Sequence, residues 1–115
     1  MAIENASTNI TLLSAADFST TGQHRFGTIN SSGQIGLTSS AGRVDGVIED
    51  DPAAINRATT VAISGVCKLL LGGSVTAGGD IQSGASGVGV SGSTNAICTA
   101  LETGVSGDII SVLLK

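Results

Sequence analysis

The chain has 115 residues and a formal net charge of −4, and this composition excludes several classes of protein. Charged residues make up only 12% and hydrophobic residues 41%, which is too apolar for a disordered chain. Five cations, two phenylalanines and no Trp or Tyr cannot supply the basic face and stacking rings of a nucleic-acid binder. No apolar run is long enough for a transmembrane helix, so we expect neither nucleic acid nor a membrane as partner.

The N-terminal segment differs from the rest of the chain. Residues 1–21 contain no glycine, whereas residues 22–115 hold all 17 glycines. Within the first segment, residues 8–12 alternate polar and apolar as a strand does. We therefore predict an extended arm over residues 1–21 and a single domain over residues 22–115. An arm of this kind adds to a sheet or contacts a partner through main-chain hydrogen bonds. Its candidate contact residues are Ile3, Asn9, Ile10, Leu12 and Leu13.

Short strands separated by turns are predicted to open the domain. Residues 24–29 and 34–38 should form a hairpin around the turn at residues 30–33. A third strand is expected over residues 43–49. The next segment breaks the strand pattern, because an N-capping Asp and a Pro begin residues 51–56, and we predict one helical turn there.

The second half carries the main core pattern. Residues 59–71 alternate over an unusually long strand, with a bend or bulge expected at Gly65. Short strands and tight turns follow over residues 74–92, then another strand over residues 95–102. The last segment, residues 108–115, is apolar on both faces and should be a central strand. No internal repeat of fixed period is evident. The sequence therefore predicts an all-β fold, a small glycine-rich β-barrel or β-sandwich with at most one short helix.

The chain offers few groups for catalysis or metal binding. Cys67 and Cys98 each lie in an apolar stretch and are predicted to be buried thiols rather than a disulfide or metal ligands. His24 is the only imidazole, and no nucleophile motif accompanies it. Residues 87–92 match G-x-G-x-x-G, but no strand–helix–strand unit surrounds them. We expect no enzyme activity, no cofactor and no metal site.

Several segments of the second half carry a recognisable order of motifs. Residues 58–66 lead into the turn at residues 72–80, and Ala100-Leu101-Glu102 is followed by a Gly-Asp turn and the apolar final strand of residues 107–114. These segments resemble the capsid decoration (cement) proteins of tailed bacteriophages. The strand at residues 43–48 is similar to an earlier strand of that family. Gly78-Gly79-Asp80 departs from the usual Ala-Gly-Asp by one glycine, and the arm before Gly22 is not covered.

The resemblance implies a structural protein on the outer surface of a phage head. Members of the family associate as homotrimers, bind the major capsid protein of the assembled shell and hold it against internal pressure. The N-terminus has no secretory signal, so we expect synthesis in the bacterial host cytoplasm. The alternative is a non-enzymatic receptor- or glycan-binding β-domain of a phage tail or cell surface. Glycan sites usually use aromatic platforms, and this chain has no Trp or Tyr.

Overall fold

The structure, a computed structural model, describes residues 5–114, with side chains from residue 8 onward. Its architecture is all-β, as the turn and strand patterns predict, and its helical content is one short 3₁₀ turn, Ala85–Gly87. The strands are β1 (Asn5–Ser14), β2 (Arg25–Ile29), β3 (Gln34–Leu37), β4 (Gly46–Ile48), β5 (Ala58–Leu70), β6 (Asp80–Ser83), β7 (Gly89–Ser91), β8 (Cys98–Ala100) and β9 (Ile109–Leu114).

Five strands form a closed barrel in the order β1-β3-β2-β4-β5, which the pairing of β1 with β5 completes. The predicted hairpin of β2 and β3 is present and antiparallel. Bulky aliphatic side chains and one aromatic ring form the core of this barrel, because a closely packed interior needs side chains large enough to fill it. The buried residues of this barrel core are Phe18, Ile35, Ile48 and Val61.

The remaining strands extend from the other end of β5 in the order β9-β8-β6-β7. A bridge between Leu71 and Gly89 brings β7 back to the end of β5, so this second sheet also curls around a core. That second core is shared with the outside of the barrel, which contributes Phe26, Val47 and Ala62. The long strand β5 therefore belongs to both halves of the molecule.

The bend predicted at Gly65 explains how one strand serves two cores. Gly65 has φ of +91°, which favours glycine, and the pairing of β1 with β5 shifts register beside it. Ala62 and Cys67 both lie in the second core although they are an odd number of positions apart. Alternation must therefore be interrupted between them, since neighbouring side chains of a regular strand point to opposite faces.

The segment predicted as an arm is extended, and its described residues belong to the barrel. Strand β1 runs antiparallel along β5 from Asn5, opposite Val66, to Leu13, opposite Ala58. Beyond it, Phe18 is 2% exposed in the barrel core. The predicted alternation over residues 8–12 thus corresponds to a strand of the chain's own sheet.

The helical turn predicted for residues 51–56 is wrong. The segment is irregular, and Asn56 has φ of +63°. Its backbone groups bond to the N-terminal segment instead of to each other: Pro52 O accepts from Phe18 N, and Asn56 N donates to Ser14 O. These tertiary hydrogen bonds remove the donors and acceptors that a helical turn would need.

Two matching hydrogen bonds join the β5–β6 and β8–β9 connections. Gly78 N donates to Ala100 O, and Gly107 N donates to Leu71 O, so the second donor lies 29 positions after the first and the second acceptor lies 29 positions before the first. Both glycines have positive φ, +85° and +93°. Each connection thus donates one such bond to the strand end from which the other starts, a pairing that the sequence pattern did not predict.

Cys67 and Cys98 are both fully buried and neither is in a disulfide, as predicted. On β9, Val112 lies opposite Cys67 and Leu114 lies opposite Cys98, so this strand runs between the two cysteines. Two strand spacings amount to about 9.6 Å, which exceeds the Cα separation that a disulfide can span.

The native chain should therefore resist thiol reagents. We expect no reaction of the folded protein with an aromatic disulfide reagent and release of two equivalents after denaturation in urea, since only unfolding exposes the sulfur atoms. The absorbance of the aromatic thiolate that the reagent releases measures the number of reacted thiols before and after denaturation. A native chain that forms an internal disulfide under mild oxidation would contradict this arrangement.

Candidate partner-binding surface

Strand β1 carries the residues that the sequence proposes for partner contact. Ile10 and Leu12 are half-buried and pack against the barrel core, whereas Asn9 and Leu13 are exposed. Ile3 lies outside the described residues. The candidate contact residues therefore lie on two sides of β1, since side chains of a strand point alternately to opposite faces. Ile10 and Leu12 point into the barrel, whereas Asn9 and Leu13 point outward.

One edge of β1 is open over most of its length. Ser14 directs both its N–H and its C=O toward the β5 side, where they bond to residues 57 and 56. Successive backbone groups of a strand point to opposite edges, so those of Asn9 and Thr11 point away from β5. On that edge β3 pairs only with Leu13 and Ser14. Within the described residues, no strand or loop backbone bonds to the outward groups of Asn9 and Thr11.

This edge lacks the usual side-chain protection against pairing with another chain. Natural edge strands carry Lys, Pro or inward charges, or are covered. The ten residues of β1, Asn5–Ser14, include no charged residue and no proline. A register irregularity near Thr8 would hinder pairing with another strand at that point, but β1 is regular from Asn9 onward. The edge can therefore accept an extended chain through main-chain hydrogen bonds.

A second exposed surface lies on the outward side of the other sheet, and we call it the outer β9 face. Ile110, Val112 and Leu114 point into the second core, so alternate residues of β9 point outward. Register places β5 residues on one side of them and β8 residues on the other. The outer β9 face consists of Val66, Lys68, Leu70, Thr99, Leu101, Ile109, Ser111 and Leu113, of which Ser111 is itself buried, at 4% exposure.

Aliphatic side chains dominate this face. Leu101 is 47% exposed, Ile109 44% and Leu113 40%. Val105, in the loop that leads into Ile109, is 56% exposed. An antiparallel sheet with one solvated face normally alternates apolar inward with polar outward positions. The sequence pattern predicted β9 as a central strand, which is confirmed by its pairing with β5 and β8, but it did not show that one apolar side would be exposed.

Charges on and beside the outer β9 face are few. Lys68 lies opposite Ser111 near the middle of the face. At the margin, Glu102 Oε2 accepts a hydrogen bond of 3.0 Å from Ser111 N, and this bond lowers the pKa of the Glu102 carboxyl below its usual range. The carboxylate is thus held ionised beside the face rather than within it.

The described residues show no cluster of potential metal ligands. Among residues 5–114, no three His, Cys, Asp or Glu side chains come together as metal ligands would. His24 was predicted to begin the strand over residues 24–29, but it precedes β2, is half-buried and has φ of +61°. Its N–H bonds to Ile48 O and its C=O accepts from Leu70 N, so its backbone joins the two halves of the molecule. No helix in the described part is long and apolar enough to span a membrane.

Comparison with known proteins finds a solved structure that shares this fold. No protein-family model matches the chain, and no curated protein sequence matches it. Among solved structures, the chain is similar to the N base of the head fiber protein gp8.5 of bacteriophage phi29. That similarity has a TM-score of 0.72 and covers 94% of this chain and 95% of the other, at 12% sequence identity. At this identity the similarity establishes a shared fold.

Proposed function

We propose that the chain is a structural decoration protein of a phage head, which binds the outer surface of the assembled shell and stabilises it. The observation that carries the proposal is the fold shared with the head fiber base of phi29 over nearly the whole chain. The motif resemblance to decoration proteins points to the same class independently. A chain with no metal-ligating cluster in its described part fits a role that depends on binding rather than catalysis.

The free edge of β1 is the contact that we assign to the major capsid protein. An extended segment of that protein would pair with the outward groups of Asn9 and Thr11, beside the exposed side chain of Leu13. Main-chain pairing needs no particular side chain, so a surface poor in charge can still bind specifically through register and shape. Many copies on one lattice then act together, since neighbouring contacts raise the effective concentration of each other. The family resemblance adds the proposal that the chain is a homotrimer.

Substitution of Thr11 by proline tests this contact directly. Proline removes the outward N–H while leaving the bonds of Ile10 and Leu12 toward β5 in place, so the barrel should keep its fold. We expect wild-type protein to sediment with purified heads that lack it and to raise their temperature of disruption. Thr11→Pro should weaken that binding at least about tenfold, because a partner strand loses a hydrogen bond and meets a steric block.

The matched control is Thr11→Val, which keeps the N–H and should bind like wild type. Circular dichroism melting of both variants verifies that each is folded. Wild-type protein in saturating excess that fails to sediment with heads would rule out the decoration function. Equal binding by Thr11→Pro and wild type would instead show that the β1 edge is not part of the contact with the head. Mass measurement in solution tests the homotrimer separately.

A further inference from the structure

We infer that the outer β9 face is a second contact with the phage head, formed against an apolar patch of the assembled shell. The inference rests on the proposed function and adds a binding surface to it. Its basis is the row of exposed aliphatic side chains on a sheet face whose opposite side is fully used by the second core. Large apolar surface left in water on a rigid sheet marks an interaction site more often than isolated exposed residues do.

The size of the face indicates what covers it. Three strands spaced about 4.8 Å apart, over six residues that rise about 3.3 Å each, give a flat area of roughly 280 Å². A stable complex of two proteins buries about 800 Å² on each partner. Face-to-face packing of two copies through this surface alone would therefore be too small to hold a dimer in solution. A contact of this size is effective when other contacts already hold the protein in place.

The position of the face supplies such a neighbouring contact. Asn5, where the described part of β1 begins, is opposite Val66, and Val66 is opposite Leu113 in the next pair. The start of the described part of β1 and the outer β9 face thus adjoin at Val66, from which β1 runs toward Ala58 and the face runs toward Leu70. A shell surface that pairs with the edge would lie beside the face, so one docking event can engage both.

The chemistry of the face specifies its counterpart on the shell. Leu101, Ile109 and Leu113 require aliphatic or aromatic side chains opposite them, since burial against polar groups would leave those groups without hydrogen bonds. Because most of the contact is apolar, its strength should depend little on salt, in contrast to a contact made by surface ion pairs.

The double variant Ile109→Ser with Leu113→Ser tests the inference. We expect it to bind heads at least about tenfold more weakly than wild type, because two partly exposed aliphatic side chains lose their burial against the shell. The control is Ile55→Ser, which removes another exposed aliphatic side chain, 57% exposed, that lies in the loop before β5 and is not part of the face. This control should bind heads like wild type. Wild-type binding should change little between low and moderate salt.

The outcomes separate this inference from the proposed function. Failure of wild-type protein to bind heads overturns both together. Wild-type binding that the double variant retains overturns the outer β9 face alone. Loss of oligomeric mass in the double variant would assign the face to contacts between copies and would also overturn the inference. If the double variant melts at a much lower temperature, Leu101→Ser, in the bend after β8, provides the same test outside the strands.

Discussion

Replacement of Phe18 by alanine should lower the free energy of unfolding by about 3–5 kcal/mol, the range for removal of a buried aromatic side chain. Phe18 is 2% exposed and packs with Ile35, Ile48 and Val61 inside the barrel. Its backbone N–H also donates to Pro52 O. The ring therefore fixes the segment that follows β1 to the interior of the barrel.

Urea unfolding followed by far-ultraviolet circular dichroism is the appropriate measurement, because the chain has no Trp or Tyr to report by fluorescence. Leu13→Ala is the control on the same segment. Leu13 is 49% exposed, so this change should cost less than about 1 kcal/mol. Equal stabilities of Phe18→Ala and wild type would show that the Phe18 ring does not contribute to the barrel core.

This prediction changes how the N-terminal segment can be tested. Removal of residues 1–21 would delete β1, which pairs with β5 along its length, together with Phe18. The truncated chain is expected to lose stability, so weak head binding by it would not distinguish a lost contact from a lost fold. Point substitutions on the outward edge of β1, such as Thr11→Pro, separate the two effects.

Much of the fold could be predicted because local patterns and global structure agree. The β2–β3 hairpin follows from a turn rich in Asn, Ser and Gly between two short apolar runs. The alternation of β5 and the apolar final segment likewise correspond to the central strands of the sheet. In these segments the residue pattern alone determines the hydrogen-bonded state of the backbone.

Other features depend on tertiary contacts that no local pattern contains. Asp51 and Pro52 suit a helix start, but the backbone of that segment is used by Ser14 and Phe18. The strand predicted over residues 43–49 corresponds to β4, which spans only Gly46–Ile48. It is shorter than predicted because the side chains of Arg43 and Asp45 bond to each other and to the backbone of Ile29. Sequence spacing could not reveal Ser14, Phe18 and Ile29 as partners, since each is distant along the chain from the residue that it bonds to.

The two candidate surfaces were likewise predictable from the sequence only in part. The sequence proposes the segment of β1 for partner contact, but only the register shows which of its groups face outward. The apolar character of β9 was visible, whereas its exposed side was not, because exposure depends on whether another layer covers the sheet. Composition predicted a protein that binds rather than catalyses, and the structure shows the two surfaces, the β1 edge and the outer β9 face, on which our binding proposals rest.

Substitution of Gly87 by alanine should be among the most disruptive single-methyl changes in this chain. Gly87 has φ of +79°, and a Cβ there would lie 2.5 Å from the backbone oxygen of Phe26. The residue ends the 3₁₀ turn Ala85–Gly87, which connects β6 to β7 and lies against β2. Positive φ costs a non-glycine residue about 1–2 kcal/mol, and forcing an added methyl into a packed site costs a further 1–3 kcal/mol. We expect a total loss of about 3 kcal/mol in the free energy of unfolding.

Gly33→Ala separates the two contributions. Gly33 has nearly the same φ, +76°, but a Cβ there would have no heavy atom within 4 Å. This variant should therefore lose only about 1–2 kcal/mol, the conformational part. The difference between the two variants, measured in urea, reports how tightly the β6–β7 turn is held against the barrel. Equal losses would mean that the turn moves away from Phe26 at little cost, and that the barrel and the second sheet are less firmly joined than the contact at β2 indicates.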